Sequence, residues 1–437
     1  MGFAFRALKS RNFRLFFYAG MVSLMGTWIQ NLALGWLVYR LTDSAFYLGL
    51  VGFAGQIPAL ILTPIAGVYA DRLNRRNMLM ITQFVPMVLA FILSILVFAD
   101  AITIPLVLII VVINGFALAF DTPFRHAFLL EMIGDRKLIS NAVALNSTLV
   151  NTARFIGPTL GGLLIALFGE AYCFLINGFS FMAMLAALIM MKVQPFVKKP
   201  TERSVLQDLS VGFNYTWNYK PARYMIMLVT VTSIFGLPFQ AFLPVFARDI
   251  LHGESQLLGF LTGAVGAGAL TGAFYLATRE GVQKVPSIIR FSAFLFAIGL
   301  LVFSLSNATS LSIIVLYFSG FGMITQFSAT NTLLQTVVDE DKRGRVLSFY
   351  SMSFMGFTPI GSLLLGSMAE KLGVPHTFTI AASILLLAAF FFYFSNENHQ
   401  KVVKLFLYGC LVVPFCLNIY FENYQMYMLI FTLLNFC

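Results

Sequence analysis

Long apolar runs broken by short polar stretches repeat along nearly the whole chain. A bilayer core about 30 Å thick needs roughly 20 apolar residues per helix. Segments of that size fall near 15–39, 45–70, 77–99, 104–122, 141–168, 171–191, 224–247, 256–278, 286–306, 311–337, 346–369 and 376–395. The pattern predicts an all-α membrane protein with twelve spans. The first run is too long for a signal-peptide core and no small-residue cleavage site follows it, so it reads as a retained anchor. One long polar connection, 192–223, separates six spans (1–191) from six more (224–395). Within it Leu206, Leu209, Phe213 and Trp217 recur at helical spacing, which predicts a helix lying along the membrane surface; a flexible linker with scattered apolar residues is the alternative. Residues 396–437 add a polar stretch and an apolar extension. Its last piece is too short to span comfortably, which suggests one membrane-associated segment or a re-entrant hairpin.

Composition sharpens this reading. Of 437 residues, 59% are hydrophobic and 11% charged, whereas a soluble domain carries about 25% charged residues. A soluble enzyme and a disordered chain are both excluded, and lipid is the partner of most apolar surface. The net charge of +10 is explained by position. Nearly all Lys and Arg fall on one side of the spans, in the N-terminal segment and in the loops after every even-numbered span. Arg40, Arg248 and Lys371 lie on the other side, and Arg154 lies within a span. Positive residues favour the cytoplasmic side, so both ends of the twelve-span unit are expected there, with no nucleic-acid surface. Cys173, Cys410, Cys416 and Cys437 show neither metal nor disulfide spacing, and no metal or cofactor is expected.

The densest local chemistry follows span 2, where Gly67, Asp71, Arg72, Arg75 and Arg76 stand together at the membrane edge. A glycine permits close helix approach, and an acid with three Arg can form charge-assisted bonds and engage a helix terminus. An anchor on the cytoplasmic side would explain the Arg but not the Gly and Asp. Asp121 with Arg125 after span 4, and Asp339 with Arg343 after span 10, repeat an acid and an Arg four apart, as duplicated halves would.

Span 5 carries Asn151, Arg154, Gly157, Pro158, Gly161 and Gly162. Gly157 and Gly161 form a small-residue face, span 8 offers Gly259, Gly263, Gly268 and Gly272, and close packing of the two spans is expected. Arg154 is a deep cation and must face water or a partner. It either attracts an anionic or acceptor-rich substrate or bonds carbonyls of span 1 or span 8. Gln30, Asn114, Gln240, Gln326, Asn331 and Tyr350 are further candidates for a polar lining, each with helix-to-helix bonding as the alternative. Trp28 and Trp36 would supply aromatic walls. No carboxylate lies at mid-depth.

The run Gly67, Asp71, Arg72, Arg75, Arg76 resembles the G-x-x-x-D-R-x-x-R-(R or K) motif between helices 2 and 3 of the major facilitator superfamily. The resemblance implies a cytoplasmic gate in which Asp71 caps the N-terminal end of helix 11 and the Arg residues link to an acid on helix 4, here Asp121, beside Arg125. Gly157, Pro158, Gly161 and Gly162 resemble the motif of antiporters, where helix 5 packs on helix 8. Ser10 to Phe16, Trp28, Gln30, Trp36, Tyr39, the Asp121 to Arg125 segment, Asn141 to Ser147, Pro244 to Asp249 and Arg343 to Val346 resemble the branch containing the enterobactin exporter and the macrolide-efflux proteins. The branch implies a monomeric secondary transporter, not an enzyme, in the bacterial inner membrane, with the N-terminus cytoplasmic. It would export a small amphiphilic molecule, a siderophore first and a drug or macrolide second, by alternating access with proton antiport. Siderophore import by the same fold is the other alternative. Asp121 is the choice for a proton carrier.

Overall fold

The structure is a computed structural model that describes residues 3–70, 72–133, 138–192, 216–279 and 284–394. Twelve of its helices are long and apolar enough to cross a membrane. They are α1 (Arg11–Thr42), α2 (Ala45–Ala70), α3 (Arg75–Phe98), α4 (Ile104–Ile133), α5 (Ile139–Phe168), α6 (Glu170–Met190), α7 (Lys220–Ile250), α8 (Ser255–Ala277), α9 (Val285–Ser304), α10 (Thr309–Val337), α11 (Glu340–Leu372) and α12 (Val374–Phe394). No strand is present among the described residues. Leu206, Leu209 and Phe213 of the expected surface helix, and the 396–437 extension, lie outside the described residues.

Local chemistry sets the helix ends. The Ser10 hydroxyl accepts from the Phe13 N–H at 3.4 Å to start α1, and Asp43, at φ 48°, returns its N–H to the Tyr39 carbonyl to end it. The Asn74 side chain caps α3 by accepting from the Asn77 N–H at 3.1 Å. Helix α4 runs well past the apolar run that ends near 122. Its extra turns are supported by the Arg125 to Asp121 ion pair at 2.8 Å, and no glycine or proline interrupts it from Phe124 to Ile133. Helix α7 is irregular: π turns at Thr232–Gly236 and Phe246–Ile250 flank a 3₁₀ stretch, Leu237–Phe242. Gly236, Pro238 and Pro244 explain this, because each proline removes an amide donor from the helical ladder.

Helices α1 to α6 pack among themselves, chiefly α1 on α5 and α6, α3 on α4 and α6, and α2 on α4. Helices α8, α9 and α10 pack likewise, with α12 on α9. The main contacts between these two sets are α2 with α11, α5 with α8, and α1 and α2 with α7. Phe274, Ile95 and Phe291 are 70%, 64% and 63% exposed on the outer flanks. Such side chains are stable there only against lipid, so the fold is a multi-pass membrane protein.

Candidate functional site

The face carrying the N-terminus holds the Arg cluster. Asn74 caps α3, which puts Arg75 and Arg76 in the first turn of that helix. Arg75 donates to the Ala70 carbonyl at 3.0 Å, closing the α2 to α3 turn, and pairs with Glu131 at 3.3 Å. Arg76 donates to the carbonyls of Leu188 and Ile189 at 2.7 and 2.8 Å. These carbonyls end α6, where a cation meets the negative end of the helix dipole. Gly67 has nothing within 4 Å of the place a Cβ would take. Asp71 lies outside the described residues.

An acid of α4 that pairs with Arg75 is thus Glu131, where the motif resemblance implied Asp121. Ten residues of helix carry the chain about 15 Å, so the continued α4 moves the acid toward the Arg cluster. Asp121 instead accepts from Thr82 at 3.0 Å, from Gln83 at 2.7 Å and from Arg125 at 2.8 Å. It ties α3 to α4, and Arg125 also lies 5.5 Å from the Phe16 ring centroid on α1.

Arg154 is positioned by α5 against α1. Its guanidinium carbon lies 5.2 Å from the centroid of the Trp28 ring, a cation–π contact worth about 0.5–2 kcal/mol. Its Nε is buried with no hydrogen-bond partner. The carbonyl bonds to span 1 or span 8 that were the structural alternative do not form among the described residues. Asn151, one turn away, donates to the Ser147 carbonyl at 2.9 Å.

The other lining candidates divide. Gln30 accepts from Asn177 at 2.8 Å, an α1 to α6 bond. Gln326 is fully buried and donates to Thr232 at 3.0 Å, and its Oε1 has no partner. Tyr350 is also buried and donates to the Phe327 carbonyl at 2.9 Å. Gln326 and Tyr350 therefore sit inside the C-terminal set of helices. Gln240 meets the Met323 sulfur at 3.7 Å, and Asn331 accepts from Gln335 at 3.1 Å. Asn114 is partly exposed on α4. Among the described residues no group of three or more His, Cys, Asp or Glu could hold a metal ion.

Helices α5 and α8 do pack closely, but with a different division of glycines from the one expected. Gly157 and Gly161 face α1: a Cβ at Gly157 would lie 2.6 Å from Trp28 Cβ, and one at Gly161 would lie 3.3 Å from Ile29 Cα. Of its three glycines only Gly162 faces α8, where its Cβ would lie 2.8 Å from Gly259 Cα, beside the Pro158 carbonyl, which a Cβ at Gly259 would meet at 3.0 Å. Gly263 meets Thr159, and Gly266 meets the Arg154 backbone. Gly272 turns to α10, where a Cβ would lie 2.8 Å from the Phe321 carbonyl oxygen, and Gly268 meets Tyr317 of the same helix. A 3.6-residue period explains the split, since Gly161 and Gly162 are about 100° apart on the helix.

The opposite face carries contacts that the sequence did not single out. Tyr39 donates to Asp249, Arg248 pairs with Asp43 at 2.6 Å, and Glu370 accepts from the Ser44 hydroxyl at 2.8 Å. Ser255 donates to the Gly162 carbonyl at 3.2 Å. Every one of these joins the N-terminal set of helices to the C-terminal set. Their signal in the sequence was only that polar residues stood at the ends of apolar runs.

Two sets of six helices meeting along α2 with α11 and along a glycine seam of α5 with α8, with an Arg cluster between α2 and α3, define a transporter of the major facilitator type. Residues 3–404 match the family described as transmembrane secretion effector, and the chain belongs to it. It is 27% identical to the staphyloferrin A transporter of Staphylococcus aureus over 84% of this chain and 92% of that protein. It is 22% identical to macrolide efflux protein A of Streptococcus pyogenes, over 89% and 98% of the two chains. In fold it is similar to a bacterial homologue of the human lysosomal transporter Spinster, with a TM-score of 0.70 at 14% identity over 91% and 98% of the chains.

Proposed function

We propose that this transporter exports a small, acceptor-rich amphiphile, a siderophore, across the bacterial inner membrane by alternating access, driven by proton antiport. The observation that carries the reading is Arg154. A cation in mid-span is costly, and here it is oriented by Trp28 with donors left for an anionic or acceptor-rich guest. Carboxylate, catecholate and hydroxamate groups all answer that demand. The similarity to the staphyloferrin A transporter supports the same substrate class. The two helix sets would rock about the α2 to α11 and α5 to α8 seams, with Asp71, Arg72, Arg75 and Arg76 latching the cytoplasmic face and Asp121 as proton carrier. The cation-rich face, with the N-terminus, faces the cytoplasm in this reading.

The similarity to macrolide efflux protein A favours a second reading, drug or macrolide efflux. Comparing metabolites retained by cells with and without the gene separates the two. Retention of an iron chelator supports siderophore export; unchanged chelator with raised macrolide sensitivity replaces it with drug efflux.

A further inference from the structure

Helix α2 begins at Ala45 with no acidic residue in its first turn. A first turn has unsatisfied N–H groups and a partial positive charge, which an acid commonly answers. Here the acid comes from the other set of helices. Glu370, in the last turn of α11, accepts from the Ser44 hydroxyl at 2.8 Å and from the Phe46 N–H at 3.3 Å. The Ser44 hydroxyl donates outward to that carboxylate. One turn deeper, Gly49 and Gly366 bring the two backbones together: a Cβ on Gly49 would lie 3.0 Å from Gly366 Cα. The close crossing is what brings Glu370 within reach.

The neighbouring residue, Asp43, is held from α7 by Arg248, which also lies 5.6 Å from the Tyr39 ring centroid. Residues 43–46, the α1 to α2 turn, are thus gripped from two helices of the opposite set. The Arg248 to Asp43 pair is 43% and 68% exposed, so solvent and salt weaken it. We propose that Glu370 is a lock on the face opposite the N-terminus: it closes that face by capping α2, and opening requires the cap to break.

This rests on the alternating-access reading, and the test uses no substrate, so a failure of the lock and a failure of siderophore transport are distinguishable. In a chain with Cys173, Cys410, Cys416 and Cys437 replaced by Ser or Ala, single cysteines report on the two faces. Gly52→Cys fits in the α2 to α11 seam, where a Cβ would meet Ser362 at an ordinary 3.5 Å, and Gly344→Cys has nothing within 4 Å. The full-length protein is reconstituted in vesicles of each orientation and labelled with an impermeant maleimide. Glu370→Gln is expected to speed labelling at Gly52→Cys by about three- to tenfold and to slow it at Gly344→Cys, the shift that loss of a charge-assisted cap would give. Ser44→Ala should move both in the same directions by less, and Glu370→Asp should restore part of the original rates. Unchanged labelling at Gly52→Cys overturns the proposal. Faster labelling at both positions also overturns it, because that marks a loosened fold rather than a released lock.

Discussion

The guanidinium of Arg154 lies 5.2 Å from the centre of the Trp28 ring, with α5 supplying the cation and α1 the aromatic face. Aromatic contact lowers the cost of holding a charge within the membrane without consuming hydrogen-bond donors. Arg154→Gln removes the charge and keeps a polar side chain. It is expected to weaken binding of an anionic substrate by about tenfold or more, the worth of one charge-assisted hydrogen bond. Arg154→Lys should recover only part, since a compact ammonium lacks the planar fork. Binding titrations on the purified variants check both; unchanged affinity for Arg154→Gln would remove Arg154 from the substrate site.

The two glycine faces of α5 should behave differently when filled. Gly162→Ala places a Cβ 2.8 Å from Gly259 Cα across the seam between the sets, so relief requires the sets to separate. It is expected to favour opening of the face opposite the N-terminus, read as faster maleimide labelling of Gly52→Cys. Gly157→Ala pushes on Trp28 within one set, and should lower thermal stability by about 1–3 kcal/mol of overpacking without changing that labelling.

Glu131 should matter to the Arg cluster more than its position in the sequence suggests. Glu131→Gln removes the pairing with Arg75, whose side chains are 23% and 24% exposed. A partly solvated pair of this kind is worth about 1 kcal/mol or less, so a small drop in melting temperature is expected. Arg76→Ala, which releases two α6 carbonyls, should cost more. Differential scanning fluorimetry in detergent orders the two variants.

Asp71→Asn should impair transport while leaving expression and melting temperature close to wild type, because it alters a proposed latch. Transport equal to wild type in reconstituted vesicles would rule out that latch.

Much of the fold could be read from the sequence because the membrane imposes one rule, that a span must be a helix of about 20 apolar residues. The same rule hid the extent of α4 and α11, which run beyond the apolar core as helices stabilised by ordinary soluble chemistry such as the Asp121 to Arg125 pair. The site was legible where a residue type was anomalous in its setting, as Arg154 is. It was not legible where several polar residues of ordinary type fill helix interiors: Gln30 accepts from Asn177 and Gln326 donates to Thr232, and nothing in their own spacing tells which neighbour they meet. The cross-set bonds of Glu370 and Asp249 escaped for the same reason, since each partner is more than 200 residues away.

Transport in inside-out membrane vesicles tests the proposed export most directly. Vesicles carrying the full-length protein are given an acidic interior, and uptake of a radiolabelled hydroxycarboxylate siderophore is followed, alongside a labelled macrolide. Expected is siderophore accumulation that collapses with the pH gradient and falls sharply in Arg154→Gln. Siderophore uptake no greater than in vesicles lacking the protein would contradict siderophore export.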